Sequence, residues 1–231
     1  PGEDFARYPR PIEADLEKCR AEGVDLVFHP SVAEMYGRSP KAIVVDIPHL
    51  TETLEGKHRP GHFRGVLQVV AKLFNIVQPA VAVFGLKDYQ QLCVIRAMTQ
   101  YLDFPVQIVA HPTVREPDGL AMSSRNAYLS PLERRRALSI SKALFAARDQ
   151  YERGVRQTSR LVATMQQILL PPASSALSPE GDLGRVPVSI DYIAAVDADS
   201  LLPVETVDRP TVLAIAARIG STRLIDNLIL D

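Results

Sequence analysis

Residues 80–110 read AVAVFGLKDYQQLCVIRAMTQYLDFPVQIVA. Two continuous apolar runs, AVAVF (80–84) and VQIVA (106–110), flank a segment in which Leu92, Ile95 and Met98 recur at helical spacing. The first run stops at Gly85, where a loop begins. A strand that is apolar without alternation is buried on both faces, and two such strands joined through a helix pair in parallel. The stretch therefore predicts a β-α-β unit of an α/β protein, with helices on both faces of the sheet.

Towards the N-terminus, VDLVF (24–28) and AIVVDI (42–47) are predicted as further strands. Val66, Val69, Val70, Leu73 and Phe74 give the intervening helix an apolar stripe, and Ile12, Leu16 and Cys19 do the same for an earlier helix over 11–22. Beyond residue 118 the pattern changes. Residues 131–154 and 158–170 read as two consecutive helices, and PPASSALSPEGDLGRVP (171–187) as an exposed connection. VSIDYIAAV (188–196), TVLAIAARI (211–219) and TRLIDNLIL (222–230) are strands without long helices between them, which predicts a small antiparallel sheet. The chain is expected to divide into an α/β domain over 1–115 and a smaller α+β domain over 116–231, with the loop DGLAMSSRN at the junction. Ligands of parallel α/β sheets sit at the carboxyl ends of the strands, and a domain boundary beside that edge makes a cleft.

The 231 residues suffice for a sizeable core, and 46% hydrophobic with 23% charged residues is an ordinary globular balance. With 26 Lys and Arg against 27 Asp and Glu, net charge gives no sign of a nucleic-acid-binding surface. Any anion site must be local. Two cysteines, Cys19 and Cys93, both in helical patterns, do not make a disulfide framework or a zinc site, and a reducing cytoplasm is expected. No apolar run approaches the roughly 20 residues that span a bilayer, so no membrane role is expected. The opening, PGEDFARYPRPIEADLEKC, has no initiator Met and reads as a loop entering a helix, from which an N-terminal truncation is expected.

Three loops carry candidate chemistry. FGLKDYQQ places Gly85, Lys87, Asp88 and Gln91 on one strand-to-helix turn: Lys supplies a point charge for phosphate, and Asp accepts from ribose hydroxyls. A glycine-initiated turn with a surface Lys and an Asp N-cap fits the same residues. In HPTVREPDGLAMSSRN (111–126), Ser123, Ser124 and Arg125 combine hydroxyls, amides and a guanidinium suited to phosphate oxygens; a turn and helix cap fits them too. Arg115 and Glu116 read as a solvated ion pair. EGKHRPGHFRGV (55–66) sets Lys57, His58, Arg59, His62 and Arg64 around two glycines before a helix, for an anionic substrate or a subunit contact. His58 and His62 lack an obvious third metal ligand, and no GxxxxGK[ST] or GxGxxG is present.

DFARYPR (4–10), VDLVFHPSVAEMY (24–36), LEGKHRPGHFRGV (54–66), KLFNIVQP (72–79), FGLKDYQQL (84–92), PTVREPDGLAMSSRNAYLS (112–130) and TRLIDN (222–227) together resemble the pantothenate synthetase (pantoate–β-alanine ligase) family, in family order and over nearly the whole chain. The resemblance implies a Rossmann-like domain of the nucleotidyltransferase superfamily, a smaller C-terminal domain and a homodimer. It implies that ATP and pantoate give pantoyl adenylate and pyrophosphate with Mg²⁺, and that β-alanine then displaces AMP. Carried over residue by residue, Gly85, Leu86, Lys87 and Asp88 belong to the ATP site, with Lys87 on the transferring phosphates and Asp88 and the Gly85 backbone on the ribose. Gln91 meets pantoate and the Val114 backbone meets adenine. Met122, Ser123, Ser124 and Arg125 close over the triphosphate. Lys87, Ser123, Ser124 and Arg125 are the implied catalytic groups, and Arg59 and His62 take a substrate-edge or interface role. The metal ligands are not assigned.

This chain departs from the family at Leu86, where the family usually has Glu, and its residues do not match the family's HxGH motif or the glutamine-containing stretch after it. The chain as given is accordingly expected to be inactive or severely impaired. A catalytically silent nucleotide-binding module and another adenylate-forming ligase of the superfamily are the alternatives. Some family members continue into a cytidylate kinase domain.

Overall fold

The computed structural model describes residue 8 and residues 10–37, 43–170 and 183–231. The chain forms two compact units, one over residues 1–44 and another over 45–231. In the first unit, α1 (Ile12–Ala21) and the short α2 (Val32–Tyr36) are helical. Ser31 caps α2, its hydroxyl accepting from the Glu34 amide at 3.2 Å while the Glu34 carboxylate accepts from the Ser31 amide at 2.8 Å.

Neither of the two strands predicted in this region forms. Residues 24–28 are irregular and exposed, with Leu26 83% accessible, and residues 43–47 are irregular as well; residue 42 lies outside the described residues. An apolar run becomes a strand only where its amides and carbonyls find a neighbouring ladder, and among the described residues no strand pairs with either segment. Asp46 instead ends its run. Its carboxylate accepts from the Ile47 amide (2.9 Å), the Thr51 hydroxyl (2.7 Å) and Arg64 (2.7 Å), which starts α3 (Pro48–Thr51).

The second unit begins with α3 and α4 (Leu54–His58), which approach so closely that a Cβ on Gly56 would stand 1.8 Å from the Thr51 carbonyl oxygen. Next come α5 (His62–Val77), β1 (Val81–Gly85), a 3-10 turn (Leu86–Asp88), α6 (Tyr89–Tyr101) and β2 (Gln107–His111). β1 and β2 pair in parallel from Val81 opposite Gln107 to Gly85 opposite His111, as the β-α-β reading requires. The expected double coverage does not hold among the described residues. One face of this pair packs towards α5 and α6, whereas Val81, Val83 and Val109 on the other are 47%, 61% and 37% accessible. A non-alternating run is apolar on both faces, whether or not both are covered.

The C-terminal part follows the sequence reading closely. After a 3-10 turn at Ser124–Tyr128, α7 (Pro131–Glu152) and α8 (Thr158–Leu169) form, then β3 (Val188–Asp197), β4 (Thr211–Ile219) and β5 (Thr222–Leu230) in the antiparallel order β3-β4-β5. Most of the exposed connection predicted over 171–187 lies outside the described residues. α7 opens with Pro131 behind a capping box between Ser130 and Glu133.

β4, at the centre, is buried on both faces because each faces a different core. Leu213, Ile215 and Ala217 join Ile140, Leu144, Leu161 and Met165 of α7 and α8. Val212 and Ala214 join Leu67, Phe74, Ile95 and Met98 of α5 and α6. The small sheet is thus shared by both cores.

Candidate active site

Parallel pairing of Gly85 with His111 sends the chain out of β1 and β2 at the same edge. The turn Leu86–Asp88 and the segment from Val114 to Arg125 both leave from that edge. β5 touches both 3-10 turns.

A cleft within the second unit, enclosing about 520 Å³ including its open mouth, is lined by Arg59, His62, Lys87, Asp88, Gln91 and Asn227 among others. Lys87 is largely buried, and its ammonium lies 3.8 Å from the half-exposed Asp88 carboxylate. Arg59 donates to His62 Nε2 at 2.9 Å. Because guanidinium has no acceptor, this bond requires the ring nitrogen facing it to be unprotonated. Lys87, Asp88 and Gln91 therefore meet Arg59 and His62 in one cavity, whereas Lys57, His58 and Arg64 do not line it, and Arg64 pairs with Asp46 at 2.7 Å. Gly85 and Leu86 do not line the cavity. Leu86 packs against the α5–α6 core.

The wall behind the cavity is polar and buried. Gln90 donates to the Leu50 and Thr53 carbonyls at 2.7 and 2.8 Å and accepts from the Glu55 amide at 2.9 Å, so α6 holds the approach to α4. Glu55 accepts a bidentate pair from Arg223 of β5 at 2.7 and 2.7 Å, and a bond from the Tyr192 hydroxyl at 2.9 Å. Asp191 takes a third Arg223 nitrogen at 2.6 Å. Burial by itself raises the Glu55 carboxyl, but the Arg223 hydrogen bonds and charge, with Tyr192, outweigh it and hold the group below its ordinary value. Burial and the neighbouring Glu55 push the Tyr192 phenol upward.

The third loop folds back on itself. Met122 donates its amide to the Val114 carbonyl at 2.9 Å, Glu116 to Leu120 at 2.8 Å and Gly119 to Glu116 at 2.8 Å, with Gly119 in the left-handed region at φ +92°. Arg115 and Glu116 are not an isolated surface pair. Arg115 forms a bidentate bridge to Asp226 of β5 at 2.7 and 3.0 Å and lies over the Phe145 ring, while Glu116 accepts from Asn126 and Arg134, both at 2.6 Å. Neighbours along an extended backbone point to opposite sides, which separates them.

Ser123 accepts from the Arg125 amide at 3.3 Å, capping the 3-10 turn that carries Ser124 and Arg125. Val114 and Met122 are exposed, and neither they nor Ser123, Ser124 and Arg125 line the cleft. Among the described residues no three His, Cys, Asp or Glu side chains come together as a protein metal cage would need. No described helix is long and apolar enough to cross a membrane.

Sequence reasoning missed Glu55, Gln90, Tyr192, Arg223, Asp226 and Asn227. A signal existed for three of them: Arg223, Asp226 and Asn227 interrupt the apolar run of β5 after Thr222.

The model of the family described as pantoate-beta-alanine ligase matches residues 1–229. The pantothenate synthetase of Moorella thermoacetica is 48% identical over 231 residues, which cover all of this chain and 77% of that protein. A crystal structure of pantothenate synthetase from Thermus thermophilus superposes with a TM-score of 0.86 at 43% identity, covering 99% of this chain and 78% of that one. A pantoate-beta-alanine ligase from Francisella tularensis, complexed with β-γ ATP and β-alanine, gives a TM-score of 0.70 at 26% identity over 98% of this chain and 72% of its own. With its fold, its cleft residues and a match over nearly its whole length, this chain belongs to the pantoate–β-alanine ligase family.

Proposed function

We infer that this protein joins pantoate to β-alanine with ATP, through a pantoyl-adenylate intermediate. The observation that carries the reading is the meeting of Lys87, Asp88 and Gln91 with Arg59 and His62 in one cleft beyond β1, in a chain of this family. A pantoate carboxylate oxygen attacks the α-phosphorus as the bond to pyrophosphate breaks. The β-alanine amine then attacks the acyl carbon, AMP leaves with the bonding electron pair, and the amine loses a proton.

Within that sequence Lys87 balances the charge that develops on the transferring phosphates. Asp88 and the Gly85 backbone hold the ribose, Gln91 hydrogen-bonds pantoate, the Val114 backbone meets the adenine end, and Met122 belongs to the phosphate-binding loop. Ser123, Ser124 and Arg125 donate to the triphosphate, and Arg59 with His62 borders the substrate side. Closure of their loop over the nucleotide would bring Ser123, Ser124 and Arg125 to a cleft that they do not now line. Mg²⁺ fits as a companion of the nucleotide, since such an ion is bound largely through substrate phosphates and retained waters, and no protein ligand is assigned to it. When bound, it neutralises phosphate charge. We place the assembly in the cytoplasm as a homodimer, with a Rossmann-like domain over 1–115 and a C-terminal domain over 116–231.

The test supplies the full-length protein with ATP, Mg²⁺, pantoate and β-alanine and follows pantothenate and AMP by mass spectrometry. ADP in place of AMP, or no condensation, would contradict the reading. The double change Ser123→Ala, Ser124→Ala should raise the ATP KM or lower kcat about tenfold or more while pantoate affinity holds, since two donors to phosphate are lost. A defect confined to pantoate would move this loop away from the triphosphate.

A further inference from the structure

Asn227 belongs to β5, the third strand of the small antiparallel sheet, and is 7% accessible. Its side-chain nitrogen donates to two successive carbonyls across the fold, those of Leu86 at 3.0 Å and Lys87 at 2.8 Å. Both partners are acceptors only, so the amide nitrogen is the end that must face them. Those carbonyls belong to the 3-10 turn that carries Lys87 into the cleft, a turn whose N-cap, Gly85, has no side chain to brace it. The preceding residue in β5, Asp226, holds Arg115 at the root of the other loop.

We propose that Asn227 is a positioning residue for Lys87: by holding the peptide planes on either side of the Lys87 Cα, it fixes where the ammonium stands. The inference rests on the placement of Lys87 in the ATP site. Two donated hydrogen bonds define the orientation of two consecutive peptides, and with them the direction of the Lys87 Cα–Cβ bond. Without them the turn keeps only its own short 3-10 bonding, which is poorer in geometry than an α-helix. Misplacing a phosphate-facing cation by about 1 Å costs on the order of 100-fold in rate. Asn227 lines the cleft as well, but both protons of its side-chain amide are donated to this turn, so it acts through the backbone it holds.

A double-mutant cycle in the full-length protein tests this, read as pantoate-dependent pyrophosphate release. Asn227→Leu keeps the branching and the number of heavy atoms and removes the donors. It should lower kcat by about 10- to 100-fold with the ATP KM changed less, and in a Lys87→Ala background it should cost less than about threefold more, because contacting groups that act as one unit are not additive. The same fold-loss in both backgrounds would overturn the positioning role while leaving Lys87 in place. A Lys87→Ala protein as fast as the parent would sink the Lys87 assignment itself.

If Asn227→Leu does not fold, Asn227→Asp carries the test. An ionised carboxylate has no proton to donate, whereas its protonated form has one. At pH 8, far above the ordinary Asp pKa of about 3.9, its kcat should fall by about 10- to 100-fold in the parent background and by less than about threefold in the Lys87→Ala background. Equal fold-losses in the two backgrounds would overturn the inference.

Discussion

Replacing Lys87 by Ala should lower the rate of adenylate formation by about 100- to 1000-fold, or roughly 3 to 4 kcal/mol, with little change in melting temperature. The side chain is 20% accessible, lines the cleft, and stands 3.8 Å from the Asp88 carboxylate, farther than a hydrogen bond reaches. Its contribution to the fold is accordingly small. In the proposed mechanism its charge, held at the end of β1, would act as a preorganised partner for charge that appears only as the phosphates separate. The comparison is steady-state pyrophosphate release by parent and variant, with thermal unfolding of each. A variant of unchanged rate would remove Lys87 from the chemistry, and one that unfolds early would make it a structural residue.

The largest effect on stability should come from Arg223→Met. Arg223 is the cation between Glu55 and Asp191, and the Glu55 side chain is only 8% accessible. Removing one partner of a buried pair leaves the other charge uncompensated, at a cost of about 3 to 5 kcal/mol. The loss should read as a lower denaturant midpoint at pH 7. Its pH dependence follows from Glu55, whose carboxyl is held below the reference value of 4.5 in the fold. Stabilisation by the pair is complete above that reference and is lost as pH falls through the lower folded value. The gap between parent and variant should therefore narrow in acid. A gap under about 0.5 kcal/mol at pH 7, the range of ordinary surface changes, would contradict the assignment.

Periodicity reports what a segment would bury, and pairing decides whether it does. The β1, β2 and β3–β5 strands and the helices α5 to α8 were legible because their apolar patterns also found partners. VDLVF and the start of AIVVDI carry the same apolar signal, yet Leu26, Ile43 and Val44 are exposed. A backbone ladder is a nonlocal fact that no local pattern contains.

The site divides in the same way. Lys87, Asp88 and Gln91 follow a strand end and could be placed from it, and Arg59 and His62 share their cleft. What braces them comes from far along the chain. Arg115 finds Asp226 rather than its neighbour Glu116, and Glu55 finds Arg223. Such partners become visible only once β5 is folded against the α5–α6 core. The small sheet supplies both hydrophobic burial and the polar supports of the cleft, so the candidate loops depend on a strand far downstream of them.

That this cleft adenylates pantoate is tested most directly by exchange of labelled pyrophosphate into ATP, catalysed by the full-length protein without β-alanine. Adenylate formation is reversible and precedes the amine, so exchange should require ATP, Mg²⁺ and pantoate alone and should collapse in Lys87→Ala. Exchange that is absent with pantoate, or that appears only when β-alanine is added, would contradict it.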